Sequence, residues 1–143
     1  MKYPNLDRFI LVVDDNREAA DLMVDLLTLC GHTAVVAYSG SDGITLAARS
    51  NPDIILLDLT MPIMDGFAVA KILRESHALR ETILVAFTAL SDPDTICRIA
   101  AEGFDYYLPK PVSIGRVMDV ISKARHRIEL AKAARVSDSV FAI

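Results

Sequence analysis

Residues 9–18 read "FILVVDDNRE": five apolar residues, Phe9 to Val13, run straight into two adjacent carboxylates, Asp14 and Asp15. A short run rich in Val, Ile and Leu, without polar alternation, is the mark of a strand buried on both faces. Two neighbouring anions at the end of such a strand repel each other beside the core, so something must offset that cost. Four further runs share this character: Thr33–Ala37, Asp53–Leu57, Thr82–Phe87 and Asp105–Leu108. Amphipathic stretches separate them. The first, about Asn16–Cys30, places Ala19, Leu22, Met23, Leu26 and Leu27 on one face and stops at Gly31. The second is near Ser41–Arg49, stopped by "NPD". A third starts at Asp65-Gly66, with Asp65 as the cap, and ends about Glu75. The fourth spans Asp92–Ala101 before Gly103, and the fifth runs from Ile114 into the C-terminal region. Five βα repeats of this kind predict a doubly wound α/β fold, with a mostly parallel sheet and helices on both faces.

Composition sets the broad class. A chain of 143 residues is most simply one domain, and it is long enough to bury a core without disulfide or metal staples. Fifteen basic against nineteen acidic residues give a net charge of −4, which argues against a general nucleic-acid or membrane-surface role. Cys30 and Cys97 show no metal-type spacing and read as reduced thiols. No segment has the apolar length of a membrane span, and "MKYPNLDR" lacks the apolar core of a signal peptide. The expected location is the cytoplasm. His32, His77 and His126 fit no ligand or triad spacing.

In open sheets, ligands bind beyond the carboxyl ends of the strands. Those positions hold Asp14 and Asp15 after strand one, and Asp58 after strand three, in "IILLDLTMPIMDG". Thr88 follows strand four in "LVAFTAL", and Lys110 follows strand five in "YYLPKPV". A lone Asp at a strand end is commonly a helix cap, and a lone Lys is commonly solvated surface. Five such groups on one sheet edge call for a joint explanation. Clustered carboxylates raise one another's pKa unless a cation intervenes. Mg²⁺ suits them, because it takes one or two carboxylates and fills its shell with water and phosphate oxygens. A nearby ammonium and hydroxyl suit a phosphoryl group, with one aspartate free to act as nucleophilic acceptor.

These motifs, "VVDD" at 12–15, "LLDLTMPIMDG" at 56–66, "FTA" at 87–89 and "DYYLPKP" at 105–111, resemble the receiver domains of two-component response regulators over about residues 8–126. The resemblance implies a flavodoxin-like (βα)5 fold with strand order 2-1-3-4-5, an order for which a receiver protein is itself a standard example. It implies that Asp58 accepts a phosphoryl group from a phosphohistidine on a sensor histidine kinase or histidine phosphotransfer protein. Asp14, Asp15, Asp58 and the backbone carbonyl of Thr60 become the Mg²⁺ ligands. Lys110 would pair with phosphoryl oxygens, Thr88 would swing toward them, and Tyr107 would move inward as the coupled aromatic. Ala89 would leave the phosphoryl group room. Lys110-Pro111 matches a cis peptide position. The readout would lie on helix four, strand five and helix five, and the domain would catalyse its own phosphorylation and slow dephosphorylation rather than turn over a substrate.

Helix five is long for this role. Ile114, Val117, Ile121, Ala124, Ile128 and Ala131 repeat at 3-4 spacing, and Lys123, Arg125, Arg127, Lys132 and Arg135 make the segment basic. Residues 1–126 form the expected receiver domain, and 127–143 the extension of helix five and its tail, "VSDSVFAI", expected to fray. The extension is either solvated or a contact: a homodimer through helix four, strand five and helix five, or through the extended helix itself. Direct nucleic-acid or membrane binding is not expected. Two competitors share parts of the pattern. A phosphatase of the haloacid-dehalogenase type needs a second acid two residues after the nucleophile, where this chain has Thr60. A flavin or nucleotide module needs a Gly-rich turn after strand one, where this chain has "DDNRE".

Overall fold

The computed structural model describes residues 8–141, with side chains through residue 135. Residues 1–7 of the N-terminal stretch read above for a signal core, and the last two residues of the tail, lie outside the described residues. The elements are β1 (Phe9–Val13), α1 (Arg17–Leu29), β2 (Thr33–Ala37), α2 (Gly40–Ser50), β3 (Ile54–Asp58), α3 (Gly66–Glu75), a 3₁₀ turn (His77–Leu79), β4 (Ile83–Thr88), α4 (Pro93–Ala101), β5 (Tyr106–Pro109) and α5 (Ile114–Phe141). The five strands form one sheet in the order β2-β1-β3-β4-β5, every neighbouring pair parallel. This is the flavodoxin-like topology.

Strand alternation sorts the core into two layers. Leu11, Val13, Ile55, Leu57, Leu84 and Ala86 face one side, in a cluster with Ala47 of α2, Phe67, Val69, Ala70 and Leu73 of α3, and Ile99 of α4. Ile10, Val12, Ile54, Leu56 and Val85, all at most 2% exposed, face the other side. Helix α1 packs on β1 and β2 through its buried Ala20 and Leu27. Its buried stripe is therefore rotated from the expected one, and Leu22 is 59% exposed. Five helices begin at side-chain caps: Asn16, Ser39, Asp65, Asp92 and Ser113 accept from Ala19, Asp42, Ala68, Thr95 and Arg116 amides at 2.9 to 3.3 Å. Each cap satisfies one of the amides that a helix start leaves unpaired.

Strands β3, β4 and β5 start and end one residue later than their apolar runs predict. The displaced polar residues are occupied in other ways. Asp53 Oδ2 accepts from Phe9 N at 3.1 Å, and Thr82 Oγ1 donates to Pro52 O at 3.0 Å. Asp105 Oδ2 accepts from Leu84 N at 2.9 Å and from Arg74 at 2.8 Å. Arg74 closes this edge of the sheet: its guanidinium also donates to Gly103 O, Arg80 O and Thr82 O at 2.7 to 3.1 Å. One side chain thus ties the end of α3 to the strands that follow it.

From Ser113 onward the chain forms a separate compact unit, which is α5 itself. Ser113 caps it, and the helix is continuous to Phe141, past the point where the sequence predicts fraying at Val136. No glycine or proline interrupts residues 116–143, so no residue there forces a stop. Glu129 to Arg135 are all exposed. No described helix is long and apolar enough to cross a membrane.

Replacing Arg74 with Met keeps the aliphatic stem and removes every one of these donors. Charge-assisted hydrogen bonds are worth roughly 1.5–3 kcal/mol each at a partly buried site, and their losses at one side chain do not add. Arg74→Met is expected to lower unfolding free energy by about 2–4 kcal/mol in urea titration, with the m-value unchanged.

Candidate functional site

The register places the carboxyl ends of four strands side by side. Val13 pairs with Leu57, Asp58 with Phe87, and Thr88 with Pro109. Asp58 and Thr88 are therefore the last residues of their strands rather than the first after them. Asp14 N donates to Ala37 O at 3.1 Å, and Lys110 N to Thr88 O at 2.8 Å, which extends the pairing past the strand ends. Both terminal carboxylates are buried, Asp14 1% and Asp58 4% exposed, while Asp15 is exposed.

The two buried carboxylates are held alike. Asp14 Oδ1 accepts from Asn16 N at 3.0 Å, and Asp58 Oδ1 from Thr60 N at 3.1 Å. Each is an Asx turn, in which the side chain is fixed by the amide two residues on. Their second oxygens face one ammonium: Lys110 Nζ lies 3.4 Å from Asp14 Oδ2 and 3.6 Å from Asp58 Oδ2. Asp14, Asp15 and Asp58 each offer a carboxylate oxygen, and these atoms all lie within 4.8 Å of one another. Three carboxylates against one ammonium leave an excess of negative charge. Burial, and secondarily the neighbouring Asp14, push the Asp58 carboxyl up to about 6, against the lowering pull of the Thr60 amide and Lys110. An all-oxygen, anionic donor set with uncompensated charge fits a hard divalent cation.

The remaining predicted residues surround this centre. Thr88 is fully buried, and its Oγ1 accepts from Leu90 N at 3.1 Å. Leu90 O in turn accepts from Tyr107 OH at 3.2 Å, so a single residue's backbone links threonine and tyrosine. Ala89, next to Thr88 in the chain, is exposed, and the Lys110–Pro111 peptide is cis. Thr60 engages the site through its amide. Tyr107 packs against the α2–α4 core layer, and alternation puts Tyr106 on the other face.

Two residues that the sequence reading leaves without a site role belong here. Gly66 opens α3 directly against the end of β3. A Cβ there would overlap the Asp58 carbonyl oxygen and lie 2.8 Å from Leu59 Cα, both backbone atoms that cannot yield. Phe87 stands under the lysine, its ring centroid 4.6 Å from Lys110 Nζ. The glycine carries a signal in "MDG", at the start of the third helix; an aromatic inside an apolar strand carries none.

The sequence pattern of the response regulator receiver domain matches residues 10–122. This chain belongs to that family. The polar-differentiation response regulator DivK of Brucella ovis is 30% identical over 116 residues, covering 81% of this chain and 94% of the relative. Among solved structures, the receiver domain of Francisella response regulator 1452 is 28% identical with a TM-score of 0.79, over 85% of this chain and 98% of that one. A chemotaxis protein CheY4 of Vibrio cholerae, at 23% identity and TM-score 0.78 over 82% and 98%, shares the fold. Receiver domains of response regulators bind Mg²⁺ at an acidic pocket and interact with histidine kinases or phosphotransfer proteins. The domain is a signalling module of two-component systems, not a conventional enzyme.

The raised Asp58 pKa has a stability consequence. Folding holds its proton more tightly than the unfolded chain, whose value is 3.8, up to about 6. Between those values the folded state binds more protons, so stability falls as pH rises through that window and then levels. Without divalent cations, Asp58→Asn is expected to be more stable than wild type at pH 7 by on the order of 2 kcal/mol, and the difference should shrink toward pH 4 in parallel urea titrations.

Proposed function

We propose that this receiver is phosphorylated on Asp58 and switches a partner or output through that modification. The observation that carries the proposal is the single ammonium of Lys110 spanning Asp14 and Asp58 at 3.4 and 3.6 Å beside a third carboxylate. Asp58 ends β3 at the mouth of the site, with Oδ1 fixed by the Thr60 amide and Oδ2 the freer of the two to attack phosphorus. In the transfer, that oxygen forms the new P–O bond while the P–N bond to the donor imidazole breaks, and the imidazole departs with its electron pair. Asp14, Asp15, Asp58 and the Thr60 carbonyl are the groups that would hold Mg²⁺. When bound, Mg²⁺ supplies positive charge that offsets the repulsion between carboxylate and incoming phosphoryl oxygens. Lys110 leaves its carboxylates for a phosphoryl oxygen, a point charge suited to that task. Thr88 turns its hydroxyl toward the same group, and Ala89 leaves space for it.

Phosphorylation adds charge and acceptors at a site of fixed cations and so biases a two-state equilibrium. Reversing that equilibrium decisively takes about 5.5 kcal/mol of differential interaction. The readout proposed is α4 and β5, continued by α5 as the family pattern has it. Donors are a sensor histidine kinase or a histidine phosphotransfer protein, and the setting is cytoplasmic. The receiver proper spans 1–126; 127–143, the basic extension of α5, is a candidate contact for a second copy. The phosphatase and flavin alternatives lack their second acid and Gly-rich turn, and family membership favours neither.

Incubation with Mg²⁺ and acetyl phosphate, followed by intact mass, tests the proposal. Wild type is expected to gain one phosphoryl group, and Asp58→Asn none. Asp15→Asn should remove Mg²⁺-dependent labelling while far-UV circular dichroism stays native. Labelling that persists in Asp58→Asn would overturn the assignment.

A further inference from the structure

Lys110 has a contact that its charge partners do not explain. Both of its carboxylate distances, 3.4 and 3.6 Å, exceed the usual N–H···O range of about 2.7–3.2 Å. The ammonium makes one long hydrogen bond, to Asp14 Oδ2, and is seated closely on neither carboxylate. A lysine side chain is long and rotamer-rich, and this one is 27% exposed, so two loose ion pairs alone would leave it mobile. The third contact is the face of Phe87, with the ring centroid 4.6 Å from Nζ. Phe87 is 8% exposed and is the register partner of both Asp58 and Leu108. Alternation therefore puts its ring on the face to which Asp58 projects.

We infer that Phe87 is a positioning residue for the phosphoryl-binding lysine: its ring holds the Lys110 ammonium between Asp14 and Asp58 through a cation–π contact. The inference rests on the phosphorylation reading for its consequence and on geometry alone for the contact. A neutral ring has an advantage over a third carboxylate in this place. It attracts the cation electrostatically but carries no net charge to hold lysine back when a phosphoryl oxygen arrives. The ring also covers one side of the ammonium, which leaves fewer orientations to lose on binding.

Three variants separate this role from simple packing. Phe87→Leu keeps an apolar strand residue and removes the ring; Phe87→Tyr keeps both; Lys110→Met removes the cation. In two-dimensional NMR of the unphosphorylated full chain, the Lys110 ε-methylene protons should be shifted upfield by the ring. Phe87→Leu should return them toward the free-lysine position, and Phe87→Tyr should not. With acetyl phosphate and Mg²⁺, Phe87→Leu should slow labelling roughly three- to ten-fold, and Phe87→Tyr should restore it. In the Lys110→Met background, Phe87→Leu should cost nothing further. Unshifted Lys110 resonances in wild type would overturn the contact, and an equal loss from Phe87→Leu with and without Lys110 would overturn the positioning role. If wild type takes no label at all, the phosphorylation reading fails, while the NMR comparison still decides the contact.

Discussion

Two buried carboxylates at the ends of β1 and β3 share one ammonium, and the charge left over constrains everything around it. A buried anion without full compensation is costly, and the chain supports these two with backbone rather than with more cations. Each Asx turn spends one carboxylate oxygen on an amide two residues away. The same turns lead the chain out of the strand toward the next helix. Asn16, the donor to Asp14, is also the cap of α1. Behind Asp58, α3 begins so close that only glycine fits at position 66. The geometry of the acidic centre and the course of the backbone are thus one arrangement.

The opposite edge of the sheet shows what full compensation looks like. There Asp53, Thr82, Asp105 and Arg74 meet strand amides and loop carbonyls with well-formed hydrogen bonds. Arg74 and Asp105 form a close ion pair at 2.8 Å, against 3.4 and 3.6 Å for the lysine contacts. A planar guanidinium suits permanent attachment to several oxygens, and a lysine suits a partner that must be exchanged. The fold has a closed end and a chemically unfinished end, and on the proposed reading the unfinished end would take the cation and the phosphoryl group.

Much of this was legible before any coordinates. Unbroken Val/Ile/Leu runs marked the five strands, because burial on both faces leaves no polar alternation. Asp14, Asp15, Asp58, Thr88 and Lys110 stood out because each ended such a run. What stayed hidden depends on which atoms come close in space. Around the one-residue displacement of β3, β4 and β5, Asp53 and Asp105 still pair with neighbouring strands through their backbone, and the side chains of Asp53, Thr82 and Asp105 bond neighbouring backbone as well, which no apolar pattern reports. The stripe of α1 rotated because periodicity finds an apolar face but not its centre, and Leu22 lies at its edge. Phe87 reads as one more core residue, since an aromatic in a strand looks the same whether it packs under a helix or under an ammonium. Ile63 is a further case: it is exposed with φ of 70°, in a turn closed by Met64 N to Pro62 O at 2.7 Å. A β-branched residue carries strain there, and nothing in "MPIMDG" announces it.

The path from site to surface is short enough to follow atom by atom. Leu90 donates its amide to Thr88 Oγ1 and accepts the Tyr107 hydroxyl at its carbonyl. Both bonds hang on one residue between β4 and α4. On the proposed reading, a Thr88 hydroxyl that turns toward a phosphoryl oxygen disturbs the first bond, and the Leu90 backbone must then adjust. Its carbonyl cannot move without also disturbing the bond from Tyr107. The threonine and tyrosine positions are therefore not independent, even though one side chain is fully buried and the other reaches the surface. On the proposed reading, coupling of this kind would need no long chain of contacts: one shared residue with two arrangements would be enough for phosphorylation of Asp58 to alter what β5 and the start of α4 present to a partner.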